Sequence, residues 1–168
     1  QGLIDDSFDR IAELFALEDE AKMKYRVDFH HQGFIPNKSL ILRWSKIAKN
    51  EKKDLNEAWA IMRERAADDP KVTANMRHRN LNQWPDELPE FRNTLLEYQK
   101  NMAILAGRML PAYARALDLP SDHFDDKFSH PEYYIRCAWY PPVEPEEGQF
   151  SLSPHSDHSS MTYLPLMD

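Results

Sequence analysis

The stretch that decides the fold is "YIRCAWYPPVEPEEGQFSLSPHSDHSSMTYLPLMD", residues 134–168. Aromatic and β-branched residues in "YYIRCAWY" favour a strand, and the prolines that follow end it. The segments "QFSLSPHSD" and "SSMTYLPL" predict two more strands. Two or three strands do not form a stable sheet alone, so we expect them to pack against other elements of the chain.

A possible metal site lies inside this stretch, at His155 and Asp157. Residues two apart on an extended chain point to the same side, so the imidazole and the carboxylate could bind one ion. Such a pair suits Fe(II), Mn(II) or Zn(II), and it is two-thirds of the facial triad of two histidines and one carboxylate. His158 is one residue out of phase. A His-x-Asp triplet also occurs in hydrogen-bonded polar loops, so the spacing alone leaves both interpretations open.

The residues before this stretch predict mainly helices. Asp5, Asp6 and Ser7 resemble a helix start, and apolar spacing behind them predicts a helix that ends near Tyr25. A longer helix should begin at Pro89. Its apolar positions recur at steps of three and four residues: Phe91, Leu95, Tyr98, Met102, Leu105, Met109, Tyr113 and Leu117.

Other segments give weaker signals. Pro111 should kink the long helix. "FHHQGFIPNKSL" is rich in turn residues, and "LNEAWAIMRERAADDP" fits either a short helix or a strand. His30, His31 and His78 lack ligand spacing, which favours surface or hydrogen-bonded histidines. Helices followed by strands indicate an α+β fold.

Composition restricts the partners. The 168 residues carry a net charge of −7, which argues against nucleic acid as a partner. No apolar run reaches the length of a membrane span, so we expect no membrane association. The single cysteine, Cys137, excludes an internal disulfide and suits the reducing cytoplasm.

Several motifs together resemble the isopenicillin N synthase-like family of non-haem iron, 2-oxoglutarate-dependent oxygenases. They are Tyr140-Pro141-Pro142 at the end of a strand, His155-Ser156-Asp157, and the Thr- and Leu-containing run Met161–Leu166. Upstream, "GFIPNK", "LNQWPDELPEFR" and the long helix ending in "LDLP" also resemble this family. The resemblance covers most of the chain and is weakest across residues 37–75.

The resemblance implies a fold and an activity. Residues 1–125 would be the helical N-terminal region, and residues 126–168 the first strands of a double-stranded β-helix, or jelly roll. The activity implied is oxidation of a small molecule by O2, by hydroxylation, desaturation or cyclisation. Fe(II) would be the metal and 2-oxoglutarate the co-substrate.

The resemblance also implies roles for individual residues. His155 and Asp157 would be two iron ligands, and Tyr140 would donate a hydrogen bond to a carboxylate of 2-oxoglutarate. Tyr140 fits a packed aromatic residue equally well. Many relatives carry asparagine where this chain has Ala138, which leaves the use of 2-oxoglutarate open. Arg136 could bind an anionic substrate, although a surface arginine paired with a carboxylate also fits.

In the family, a third iron ligand and an Arg-x-Ser cofactor anchor follow the His-x-Asp motif, and we expect both after Asp168. The first strands of the fold are expected before Gln1. The chain should then be a middle portion, inactive alone. Three other interpretations stay open: an Fe(II) oxidase that does not use 2-oxoglutarate, a non-catalytic binding protein on a decayed oxygenase fold, and a Zn(II) hydrolase using His155, Asp157 and His158.

Overall fold

A computed structural model describes residues 2–41, 51–157 and 159–165 of the chain. His158, and the end of the predicted run Met161–Leu166, lie outside the described residues. The elements in chain order are α1 (Gly2–Ala16), α2 (Asp19–Met23), β1 (Gly33–Ile35), β2 (Glu57–Met62), α3 (Pro70–Thr73), α4 (Pro89–Ala116) and β3 (Tyr134–Trp139).

The three strands form one antiparallel sheet in the order β1–β2–β3. Trp59 in β2 lies opposite Phe34 in β1 and Cys137 in β3. Since side chains alternate along a strand, these three point to one face of the sheet. The opposite face carries small side chains, among them Ala58 and Ala60. The predicted α+β class is confirmed at this level.

The main core lies between the face that carries Trp59 and the helices. Leu14 from α1 and Phe91 and Leu95 from α4 are fully buried in one cluster with it. The Trp59 ring lies 6.1 Å from Phe91, nearly perpendicular to it, and 6.4 Å from Phe34. Aromatic pairs at such distances add about 1 kcal/mol each beyond the area they bury.

The long helix begins at Pro89 as predicted and runs for 28 residues. Proline suits the first turn because its missing N–H would have no partner there. Pro111 lies inside the helix, which continues to Ala116; the kink stays a prediction. Only part of the predicted apolar stripe is buried: Phe91 and Leu95 are, whereas the later positions Leu105, Met109, Tyr113 and Leu117 are exposed in this structure.

The first predicted helix is wrong in its bounds. It begins at Gly2 rather than after Ser7, and a break at Leu17 and Glu18 separates α1 from α2. The Ser7 hydroxyl donates to the Leu3 carbonyl, 2.7 Å away, within the helix. The side chain therefore bonds backward, into the preceding turn, instead of capping a helix start.

The expected order of helices first and strands after is also wrong. β1 lies in the stretch "FHHQGFIPNKSL", which was predicted to be a turn. The segment "LNEAWAIMRERAADDP", which fitted either a helix or a strand, contains the strand β2, and the short helix α3 begins at its last residue. The boundary predicted after residue 125 falls between α4 and β3, and the sheet contains strands from both sides of it. The two-part division itself stays a prediction.

The two strands expected after β3 are absent from the described residues 149–157 and 159–165. This segment bonds to the distant residues 53–56 largely through side chains, and a backbone bond of 2.9 Å runs from Leu55 N to Phe150 O. A strand needs a ladder of backbone bonds to a partner, and the described residues supply none here. Among the described helices, none has both the length and the apolar character needed to cross a bilayer.

Candidate metal centre

The segment that carries His155 is attached to the residues just before β2. The Asn56 amide donates to the Ser151 carbonyl, beside the backbone bond from Leu55 to Phe150. The Asp54 carboxylate accepts from both the backbone N–H (3.1 Å) and the hydroxyl of Ser153. Three consecutive residues, 54–56, thus hold residues 150–153 in place.

The orientation of the His155 ring follows from this attachment. Its Nδ1 lies 2.8 Å from the Ser153 carbonyl oxygen. A carbonyl only accepts, so Nδ1 must carry the proton and donate it. In the neutral ring, Nε2 then has a free lone pair, the form in which histidine binds metals.

The Asp157 carboxylate is oriented in a similar way. Its Oδ2 accepts a hydrogen bond from the Thr162 hydroxyl at 2.6 Å, and the Ser159 hydroxyl lies 3.0 Å from that of Thr162. The other oxygen, Oδ1, lies 3.3 Å from His155 Nε2. The structure therefore brings the predicted pair together. In each of the two side chains, the polar atom that faces away from the other is hydrogen-bonded to the protein.

This arrangement fits a divalent ion. Two lone-pair atoms that face each other repel unless a cation or a proton lies between them. Bonds of about 2.1 Å at right angles place neighbouring ligand atoms about 3 Å apart, close to the observed 3.3 Å. Both side chains are partly exposed, so co-ligands can reach an ion there. Within the described residues, no cluster of three or more His, Cys, Asp or Glu side chains suits a metal.

The other two predicted site residues lie on or beside β3. Cys137 points into the core, so the alternating positions Arg136 and Ala138 point to the opposite face. Arg136 donates from Nη2 to the Asn56 side-chain oxygen at 2.6 Å. Tyr140 follows the end of β3 and is 47% exposed. Their roles in substrate and cofactor binding stay predictions.

The sequence analysis missed Asp54 and Asn56. Both are buried and polar, and they connect the predicted metal site to the sheet. A signal was present, because positions 54 and 56 are in phase with Ala58 and Ala60 of β2. The alternation of side chains could not be used, because the sequence of this segment fitted a helix as well as a strand.

The rings of His30, His31 and His78 are hydrogen-bonded, as predicted. His30 Nε2 lies 3.0 Å from the Asn75 side-chain oxygen, and His78 Nδ1 lies 3.2 Å from the His30 carbonyl. The rings of His31 and His78 are 5.2 Å apart. Burial, followed by the nearby Arg77 guanidinium, lowers the pKa of both His31 and His78.

Comparison with known proteins places these features in a family. The N-terminal domain described as "non-haem dioxygenase in morphine synthesis N-terminal" matches residues 1–87, just over half of the chain. The chain belongs to this family. The predicted resemblance to non-haem iron oxygenases is thereby confirmed.

Curated relatives of this dioxygenase-family chain each match about half of it. Validamycin A dioxygenase from Streptomyces hygroscopicus subsp. limoneus is 34% identical over 87 residues, which are 49% of this chain and 24% of the relative. Jasmonate-induced oxygenase 2 from Arabidopsis thaliana is 32% identical over 88 residues, 51% of this chain and 24% of the relative. The match thus spans about a quarter of the length of these relatives.

Solved structures match the dioxygenase-family chain over nearly its whole length. A putative 2OG-Fe(II) oxygenase family protein from Caulobacter crescentus aligns with a TM-score of 0.70 and 27% identity, over 89% of this chain and 46% of that one. A second structure, JOX2 in complex with 2OG, Fe and JA, aligns with a TM-score of 0.68 and 22% identity, over 93% and 42%. The latter likeness concerns the fold alone.

Proposed function

We propose that the protein containing this chain is an Fe(II)- and 2-oxoglutarate-dependent oxygenase that oxidises a small molecule with O2. His155 Nε2 and Asp157 Oδ1 are two of its iron ligands. Residues 1–125 form its N-terminal region, and residues 126–168 begin its jelly-roll core. The likeness to solved oxygenase structures supports the fold part of this proposal.

One observation carries the metal assignment. His155 Nδ1 and Asp157 Oδ2, the two atoms that a metal would not use, are bonded to Ser153 and Thr162. The two atoms that a metal would use face each other at 3.3 Å. Hydrogen bonds of this kind fix ring orientation and ligand basicity in metal sites.

In this proposal, Tyr140 and Arg136 bind the co-substrate and the substrate. The exposed Tyr140 hydroxyl donates a hydrogen bond to a carboxylate oxygen of 2-oxoglutarate. Arg136 offers its guanidinium to an anionic substrate, with Asn56 holding one of its nitrogens. When bound, iron with 2-oxoglutarate supplies the oxygen-activating chemistry, and the chain supplies orientation and an open side for reactants.

The names of the relatives support the reaction class. The matched enzymes include a dioxygenase named for validamycin A and an oxygenase induced by jasmonate. Another relative, from Metarhizium rileyi, is named a 2-oxoglutarate-Fe(II) type oxidoreductase. Because the match spans only part of each relative, the reaction and its substrate are proposed for this protein by likeness.

An anaerobic titration of the intact protein tests the proposal. Fe(II) is added first and 2-oxoglutarate second, and the weak visible charge-transfer band of the chelate is recorded. We expect the band in the unmodified protein and not in His155→Ala or Asp157→Asn. The exposed residues His130 and Asp122 provide matched controls, so His130→Ala and Asp122→Asn should keep the band.

The other outcomes separate the alternatives. Iron binding without a band on addition of 2-oxoglutarate would favour the oxidase that does not use this co-substrate. Failure to bind iron would contradict the proposal and leave the pair as a polar turn or a binding site on a non-catalytic fold. Zn(II)-dependent hydrolysis that needs His158 would favour the hydrolase.

A further inference from the structure

We propose that Asp54 is a positioning residue for the metal ligand His155 and that it acts through Ser153. The inference rests on the proposed function, since it concerns the same iron site. Asp54 lies about 100 residues before His155 in sequence and precedes β2 by three residues. It touches neither the proposed ion nor a proposed reactant.

The burial of Asp54 is the first step of the argument. Asp54 is only 4% exposed, and Ser153 is 2% exposed. A carboxylate without partners in such a place is costly, because it loses its hydration. Here one oxygen, Oδ1, accepts both the backbone N–H and the hydroxyl of Ser153. Hydrogen bonds to a charged acceptor are stronger than neutral ones, so Ser153 is held firmly.

Asp54 is itself fixed from the other side. Its backbone N–H donates to the Leu40 carbonyl at 3.0 Å, and its carbonyl accepts from the Lys38 N–H at 3.3 Å. The carboxylate therefore projects from a backbone anchored on a third segment of the chain. A movement of Ser153 would have to break these bonds or those to Oδ1.

The link from Ser153 to the metal ligand is short. The carbonyl of Ser153 accepts the hydrogen bond from His155 Nδ1. Two groups of Ser153, its N–H and its hydroxyl, are fixed by Asp54, and this limits the directions in which its carbonyl can point. The carbonyl in turn selects the ring tautomer that leaves Nε2 free for a metal.

The rest of the attachment does not depend on Asp54. The Asn56 amide donates to the Ser151 carbonyl and the Leu55 N–H donates to the Phe150 carbonyl, and neither bond uses the Asp54 carboxylate. The segment should then remain docked while the Ser153 carbonyl gains freedom. This separation makes the positioning role measurable apart from folding.

The test uses the intact protein with Asp54→Ala and Ser153→Ala. We expect Asp54→Ala to weaken Fe(II) binding by up to about 10-fold, the lower end of the effect of removing a direct outer partner of a metal ligand, because the Ser153 carbonyl itself remains. Ser153→Ala keeps the backbone N–H and should have a smaller effect. In the double variant, the loss of iron affinity should be smaller than the product of the two single losses and close to that of Asp54→Ala alone. Both substitutions act on the same contact, so their effects should not multiply.

A second readout needs no metal. Nitrogen NMR of histidine-labelled protein without iron reports which ring nitrogen carries the proton, and comparison with His155→Ala assigns the signal. The unmodified protein should show His155 protonated at Nδ1, and Asp54→Ala should show a mixture of tautomers. Phe91→Leu, a substitution in the distant core, is the control for lost stability alone. It should lower the unfolding midpoint and leave the tautomer and the iron dissociation constant unchanged.

Two results would overturn the inference. In the first, Asp54→Ala behaves like Phe91→Leu, with lower stability but unchanged iron affinity and ring tautomer. In the second, Asp54→Ala loses iron affinity only in proportion to the unfolded fraction. If the unmodified protein binds no iron, the proposed function fails, and the tautomer measurement still decides whether Asp54 orients His155.

Discussion

Two regions of the molecule, the Trp59 side of the β1–β2–β3 sheet and the segment that carries His155, are built by different forces. The side that carries Trp59 is packed against α1 and α4 and contains fully buried aromatic and aliphatic side chains. The described residues 150–157 and 159–162, attached before β2, are held mainly by hydrogen bonds and contain no regular strand. Substitutions in the first region should lower stability, and substitutions in the second should lower metal affinity.

The strongest way to test this comparison is to remove a large side chain from the core. Phe91 is fully buried and lies about 6 Å from the rings of both Trp59 and Trp84. Phe91→Ala should lower the free energy of unfolding by about 4 kcal/mol, because it removes apolar contacts and leaves a cavity. Urea unfolding measures the loss. In the folded fraction the iron affinity should be unchanged, and a parallel loss of affinity would contradict the separation of the two regions.

A smaller effect is expected at the buried ion pair between α2 and β2. Lys22 is buried and lies 3.2 Å from both carboxylate oxygens of Glu57, with its ammonium 5.3 Å from the centre of the Phe34 ring. Lys22→Met should lower the free energy of unfolding by about 3 kcal/mol, because Glu57 is left with an unpaired, mostly buried charge. Chemical denaturation of the variant measures this.

The double variant Lys22→Met with Glu57→Gln is the matched control. It removes both charges, so it should recover most of the lost stability. A double variant as unstable as the single one would show that Lys22 acts through packing rather than through its charge.

The smallest effect at neutral pH is expected at Cys137. Burial raises the pKa of this thiol from 9.0 to about 12. The unfolded thiol therefore loses its proton near pH 9 while the folded one keeps it. The stability contributed by the protonated thiol is complete below pH 9 and is lost as the pH rises toward 12.

Cys137→Ala isolates this effect. The difference in free energy of unfolding between the unmodified protein and this variant should be constant below pH 9 and should shrink above it. Denaturant titrations over this pH range measure the difference. A difference that does not change with pH would mean that the folded thiol ionises as readily as the unfolded one.

The sequence predicted the long helix and the strand β3 because their signals are local. A proline at the first turn and apolar steps of three and four residues need no partner to be recognised, and neither does an aromatic, β-branched run. The pair His155 and Asp157 was also visible, since two residues two apart share a side of any extended chain.

The sequence could not predict β1, because Gly33 reads as a turn residue when it is seen alone. Its φ of 108° is readily adopted only by glycine, and the Gln83 amide nitrogen would lie 2.6 Å from an added Cβ. The strand exists because β2 pairs with it. The two strands expected after β3 are not formed, because no segment in the described part of the chain pairs with them along their length.

The sequence by itself determined the α+β class, the main helix and the identity of two candidate ligands, because periodicity and spacing are properties of neighbouring residues. Only the tertiary structure decided how these ligands are oriented. The Asp54 carboxylate comes from a segment about 100 residues before Ser153, and together with the Ser153 carbonyl it sets the ring of His155. No local pattern contains such a contact, because it depends on how distant segments meet in space.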